Sequence, residues 1–139
     1  MNALPTATIS GTAATCLNST SPQIVLTGFG GTAPYTFTYS INTVLQPAVT
    51  TTSGDSYIIN APTTTAGTFT YDLVSVTEGS PLACAQAQTG SAVITVAVAP
   101  IINTPSNYVV CDDSLNNDGF YCAFDLTTLN SQISTDPTV

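Results

Sequence analysis

Lysine, arginine, histidine and tryptophan are all missing from the 139 residues, and charged residues of any kind make up only 6%. Eight acidic side chains leave a net charge of −8. Without cations there is no counterion release to drive nucleic-acid binding, and no attraction to an anionic lipid surface. Without histidine there is no imidazole base and no imidazole metal ligand. Without lysine there is no Schiff base, no phosphate-binding ammonium and no Lys–Asn isopeptide cross-link. Salt bridges between side chains are excluded too, at little cost, because exposed pairs contribute roughly 0–1 kcal/mol each. Trypsin has no cleavage site. Long apolar runs are also lacking. The longest, Ala92 to Ile102, is interrupted by Thr95 and Pro100 and is too short to span a bilayer. The opening MNALPTATIS has neither a basic nor an apolar leader region, so an exported chain is expected to be a mature fragment.

What is present is threonine, at 26 positions, with nine glycines and nine prolines. β-Branched Thr suits a pleated, half-exposed surface. Runs of strand-like sequence separated by turn residues fill positions 5–99: TATISG, PQIVLTGF, PYTFTYSI, SYIINAP, GTFTYDLVSV and SAVITVAVA. In PYTFTYSI, Tyr35, Phe37, Tyr39 and Ile41 alternate with Thr36, Thr38 and Ser40, a period of two that predicts a strand with one buried face. SAVITVAVA is apolar on both faces, which predicts an interior strand. No helical periodicity is sustained before residue 124. The regular spacing predicts an all-β antiparallel sandwich over 5–99 in a protein outside the cell.

Catalysis is not expected. Asp55, Asp72 and Glu78 are the acids of this region and form no evident acid–nucleophile pair, and the many hydroxyls lack an activating base. The glycines between Gly28 and Gly31 read as a turn, since no lysine and no following helix support a phosphate loop. Tyr71 fits the tyrosine corner of an immunoglobulin-like fold. Tyr35, Tyr39 and Tyr57 read first as core or cross-strand residues and second as a sugar-stacking face.

Ala99-Pro100 closes the last strand, and the composition shifts: three acids lie in 1–99 and five in 100–139. Forty residues are few for an independent core, so 100–139 reads as the partial start of a second, Asp/Asn-rich domain. It holds CDDSLNNDGFYC, residues 111–122. On the twelve-residue calcium-loop template, Ser114 takes position 1, Asn116 position 3, Asp118 position 5, Gly119 position 6 and Asp125 position 12. Ser at position 1 and Asp at position 12 depart from that template, and Asp112 and Asp113 can supply further carboxylates. The expected ligands of Ca²⁺ are therefore Asp112, Asp113, Asn116, Asp118 and Asp125, and the alternative is a solvated turn without an ion. Asp125 also caps a short helix with Leu126, Leu129 and Ile133 on one face. Four cysteines permit three pairings. The simplest joins Cys16 to Cys84 and Cys111 to Cys122, closing loops of about 69 and about a dozen residues, for roughly 4 and 3 kcal/mol of chain constraint.

The stretches GGTAPYTFTY and AGTFTYDLVSVT, within a match over nearly all of 5–99, resemble the PKD-like and Ig-like repeats of large Bacteroidetes cell-surface proteins exported by type IX secretion, many of them gliding-motility adhesins. VVCDDSLNNDGFYCAFDLTT resembles units found near the C-terminal ends of the same proteins. The Trp and GDG-like turn of PKD domains proper are absent. The resemblance implies a surface location and a structural or adhesive repeat, with neighbouring repeats or like subunits as partners and surface glycans as a further candidate. It implies neither nucleic-acid binding nor membrane insertion. Two alternatives remain open: a filament subunit assembled by strand addition, and a glycan-binding accessory module of a secreted enzyme.

Overall fold

The computed structural model describes residues 4–101. The chain divides into two units, Met1–Val98 and Ala99–Val139, and every described strand belongs to the first. Ten strands follow one another: β1 (Thr6–Ser10), β2 (Ala13–Cys16), β3 (Gln23–Phe29), β4 (Thr36–Ile41), β5 (Val44–Leu45), β6 (Val49–Thr50), β7 (Ser56–Asn60), β8 (Gly67–Thr77), β9 (Ala85–Ala87) and β10 (Ser91–Ala97). Among the described residues there is no helix.

Two sheets face each other. One has the order β1-β3-β7; the other runs β2-β10-β8-β4-β5, with β6 added to β4 and β9 to β8. All pairings are antiparallel except β2 with β10, which is parallel. The alternation in the sequence explains the layering. Ile24 and Leu26 of β3 point inward, as do Phe37 and Tyr39 of β4 and Ala92, Ile94 and Val96 of β10, and all are buried. Their neighbours Val25, Thr36, Thr38 and Val93 stay partly exposed. β10 lies between β2 and β8, as its two apolar faces predict. The architecture is the all-β sandwich expected for 5–99.

Three local devices shape it. Asn42 and Thr43 turn β4 into β5 with φ of 48° and 70°, the signature of a tight hairpin turn with two left-handed residues. The Asn42 side chain then continues the ladder past the end of β4: its Oδ1 accepts the Thr70 N–H at 2.8 Å, and its Nδ2 donates to the Thr68 carbonyl at 3.3 Å. In β8 the register against β4 jumps from Thr38↔Ser75 to Tyr39↔Leu73, leaving Val74 as a bulge. Where β9 passes into β10, the Gln88 side chain reaches the other sheet and accepts the Ala7 N–H at 3.0 Å.

The expected Cys16–Cys84 bridge is not formed; both are free thiols. The topology explains why. Cys16 ends β2 level with Ala97, beside Val96, which pairs with Gly67 at the start of β8. The Cys84 carbonyl accepts the N–H of Glu78, just past the other end of β8. Eleven residues of strand, roughly 35 Å, separate the two levels, whereas a disulfide needs Cα atoms within about 7 Å.

Candidate functional site

One end of the sandwich gathers three loops: 30–35 between β3 and β4, 51–55 between β6 and β7, and 78–84 between β8 and β9. At their centre stands Glu78, 3% exposed. Buried carboxylates ordinarily take a cationic partner, and this chain has no cationic side chain to offer. The loops supply donors instead. Oε2 accepts the backbone N–H of Thr32 at 2.9 Å, and Oε1 accepts the Ser80 hydroxyl at 2.8 Å. The Cys84 thiol lies beside the carboxylate. Two backbone bonds brace the contact, Gly79 N–H to the Thr32 carbonyl at 2.8 Å and Glu78 N–H to the Cys84 carbonyl at 3.1 Å.

The glycines of this region are required by close approach. A Cβ on Gly79 would lie 2.5 Å from Cδ and 2.8 Å from the carbonyl oxygen of Pro34, and one on Gly31 would lie 2.9 Å from the Glu78 side chain. The Gly31 N–H instead donates to the hydroxyl of Tyr35 at 3.0 Å. Tyr35 also binds Thr51 twice, its N–H to Oγ1 at 3.0 Å and its carbonyl to the Thr51 N–H at 2.9 Å. Ala33-Pro34 is a cis peptide. Beside it, Ala33, Pro34 and residues 51–54 line an open depression of about 310 Å³. So Gly30 and Gly31 lie in the bend that follows β3, where the Gly31 N–H serves Tyr35 and the Thr32 N–H serves Glu78, while Gly28 is still within β3.

The Ser80 hydroxyl first, and then the Thr32 N–H, hold the Glu78 carboxyl below the usual carboxylate range, with a smaller contribution from Cys84 and with burial opposing. Burial pushes the Cys84 thiol up, and its bond to Glu78 and that group's charge add to the effect. Glu78 is therefore ionised and fully partnered at neutral pH, and Cys84 is a protonated thiol. This arrangement holds loops together and offers neither a poised general acid nor a thiolate nucleophile.

Of the residues singled out in the sequence, Tyr35 and Tyr39 lie buried in the core, and Tyr57 lies in the opposite sheet, so they form no sugar-stacking face. Burial raises the pKa of Tyr39 and of Tyr71, with neighbouring tyrosines adding to it. Tyr71 sits in mid-strand in the core rather than at a corner. Asp112, Asp113, Asn116, Asp118, Asp125, Cys111 and Cys122 lie outside the described residues, as does the short helix expected after Asp125. Among the described residues no group of three metal-ligating side chains comes together, and no helix is long and apolar enough to cross a membrane. In the sequence Glu78 stands as one of three scattered acids. The available signal was that an acid just after a strand, followed by Gly-Ser, has no cation anywhere to pair with and must find N–H and O–H donors if it is buried.

The fold and site define an all-β sandwich module with one end locked by a carboxylate. No family model and no curated protein matches the chain. Among solved structures it is similar to the CARDB domain of the PF1109 protein from Pyrococcus furiosus, whose crystal structure is in complex with di-metal ions. The identity is 16%, the TM-score 0.42, and the match covers 70% of this chain and 96% of that one. A solution structure of the same CARDB domain is also similar, at 16% identity and a TM-score of 0.37, covering 68% of this chain and 96% of that one.

Proposed function

We propose that this chain is a non-catalytic structural and adhesive repeat of a large bacterial cell-surface protein, working outside the cell as one link of a stalk. The observation that carries this reading is where the backbone enters and leaves. β1 begins at Thr6, paired with Phe29 beside the Glu78 loops. β10 finishes at Ala97, at the level of Cys16 and the start of β8, on the opposite end. A module entered at one end and left at the other stacks in line with its neighbours and transmits pull along its own axis. Such pull shears β1 against β3 and then β2 against β10. The second pairing is parallel, from Ile94↔Ala13 to Ala97↔Cys16, and is extended by the Leu17 N–H to Ala97 carbonyl bond of 2.8 Å. Bonds crossing the direction of pull carry the load together.

The rest of the reading agrees with this. The described acids are committed or isolated: Glu78 to the Thr32 N–H and the Ser80 hydroxyl, Asp72 to the Ser91 hydroxyl. A surface with no Lys or Arg resists trypsin-like proteases. Ca²⁺ held by oxygens of Asp112, Asp113, Asn116, Asp118 and Asp125, with Cys111 bridged to Cys122, would stiffen the segment that follows.

Single-molecule pulling on the full chain from its two ends tests the proposal. The expected result is a cooperative rupture of the sandwich that Thr15→Pro, which removes an N–H from the middle of β2, lowers at least twofold in force. A sandwich that yields gradually, at the same low force with and without Thr15→Pro, would sink the stalk reading.

A further inference from the structure

The two sheets treat their edges differently. The outer side of β1 is closed by Gln88, which binds the Ala7 N–H, and by Gly90, which lies against Ile9. The edge next to β4 is split into β5 and β6, with Pro47 between them. Among the described residues nothing pairs with the outer side of β7. Two hydrogen bonds fix which of its groups face outward. Gly28 N–H donates to the Asp55 carbonyl at 2.8 Å, and Ala61 N–H donates to the Pro22 carbonyl at 2.9 Å. Hydrogen-bonded and non-bonded pairs alternate along an antiparallel ladder, so Tyr57 and Ile59 share the phase of Asp55 and Ala61 and bond to β3. Ser56, Ile58 and Asn60 therefore turn their N–H and C=O groups away from the sheet. An exposed row of this kind is a template for another strand, which proteins usually blunt with charge, proline, glycine or a bulge. Residues 56–60, SYIIN, contain none of these.

We infer that β7 pairs with β7 of a second copy of this chain, antiparallel and about a two-fold axis at Ile58. In this register Ile58 faces Ile58, and Ser56 faces Asn60 of the second copy. All three are outward-facing pairs, each able to exchange two backbone hydrogen bonds. Side chains agree with the register. Ile58 is 50% exposed and pairs with Val25 within its own sheet. Joining the copies extends the Val25–Ile58 row across the interface and covers both isoleucines. On the inner side, half-buried Tyr57 meets half-buried Ile59 of the second copy. Charge points to the same occupant. The register sets Asp55 opposite Ala61, which keeps the two Asp55 carboxylates roughly 20 Å apart along the strands, while a basic partner would find only that one carboxylate beside the edge. Antiparallel pairing also runs the two sandwiches in opposite directions. On the stalk reading, this is contact between stalks from facing surfaces; the pairing itself does not depend on that reading.

The test is sedimentation equilibrium on the full chain from micromolar to millimolar concentration, at low and high salt, with amide hydrogen exchange on the same samples. The mass is expected to rise from one copy to two, more readily at high salt, since salt screens the repulsion between two chains of charge −8. The amides of Ser56, Ile58 and Asn60 should slow at least tenfold on dimerisation, while those of Tyr57 and Ile59, already bonded to β3, stay unchanged. Ile58→Glu, which sets like charges face to face at an exposed position, should weaken association at least tenfold; Val25→Glu, one strand inward, should do less. A chain that remains a single copy at millimolar concentration overturns the inference. So does a dimer that Ile58→Glu leaves intact, or one whose 56, 58 and 60 amides stay unprotected. If Ile58→Glu fails to fold by circular dichroism, the exchange pattern of the unaltered chain decides. Loss of pairing with rupture force intact would remove this inference alone, and the reverse would remove the stalk reading alone.

Discussion

Thr32 and Glu78, forty-six positions apart in sequence, are joined by a 2.9 Å hydrogen bond from the backbone N–H of one to the carboxylate of the other. With the Ser80 donor, this single acid ties two loops that no ion pair could join in a chain without cationic side chains.

Acid should release that tie. The donors hold the folded Glu78 carboxyl below the usual carboxylate range, so its stabilising contribution is complete above the unfolded pKa and is lost as pH falls through the folded one. The melting temperature should therefore fall as pH drops through the ordinary glutamate range and below it. Glu78→Gln should lower it at neutral pH and flatten the fall. Thermal unfolding across that window, for both chains, measures it.

Gly79→Ala and Gly54→Ala should separate a packing clash from a backbone preference. At Gly79 the new methyl meets the Pro34 ring and its carbonyl, and overpacking of this kind costs about 1–3 kcal/mol. At Gly54, φ +72° with open space around it, only the left-handed conformation is penalised, at roughly 1 kcal/mol. Urea denaturation of the two variants gives the comparison.

The thiols should differ in reactivity. Cys16 is exposed, while Cys84 is half-buried and kept protonated by burial and by the neighbouring carboxylate. Alkylation at mildly alkaline pH, followed by peptide mass, should label Cys16 faster. Glu78→Gln, which removes the charge beside Cys84, should narrow the gap. Peptides from the non-reduced chain should show no link between residues 16 and 84.

Calcium should raise the unfolding temperature of the full chain, and a chelator should reverse the rise, because a ligand bound only by the folded state stabilises it by mass action. Asp118→Ala should abolish the calcium-dependent part. Differential scanning calorimetry with and without calcium checks this. An unchanged transition in the unaltered chain would leave the acidic run a plain turn.

The sheets were legible in the sequence where a strand is long and has one wet face. Phe37 and Tyr39 in β4, and Ile24 and Leu26 in β3, follow the period of two and lie where that period puts them. β5 and β6 were not legible, because two-residue strands carry no periodicity and exist only against β4. Nor was the β4–β5 turn, where Thr43 takes a left-handed position that usually signals itself by glycine. The Cys16–Cys84 pairing failed because membership of one unit says nothing about which end of the sandwich a residue occupies. Glu78 escaped because its burial depends on two distant loops meeting.

The extra residue Val74 acts as a parity switch. Before it, odd-numbered side chains of β8, Tyr71 and Leu73, are buried; after it the even-numbered Val76 and Glu78 are. Strict alternation through Val74 would instead turn Ser75 and Thr77 toward the core, with Val76 and Glu78 toward water, whereas the bulge absorbs the extra residue and keeps Val76 and Glu78 inward. The lock at the loop end thus depends on a count of residues in mid-strand, about four positions before the carboxylate it aims.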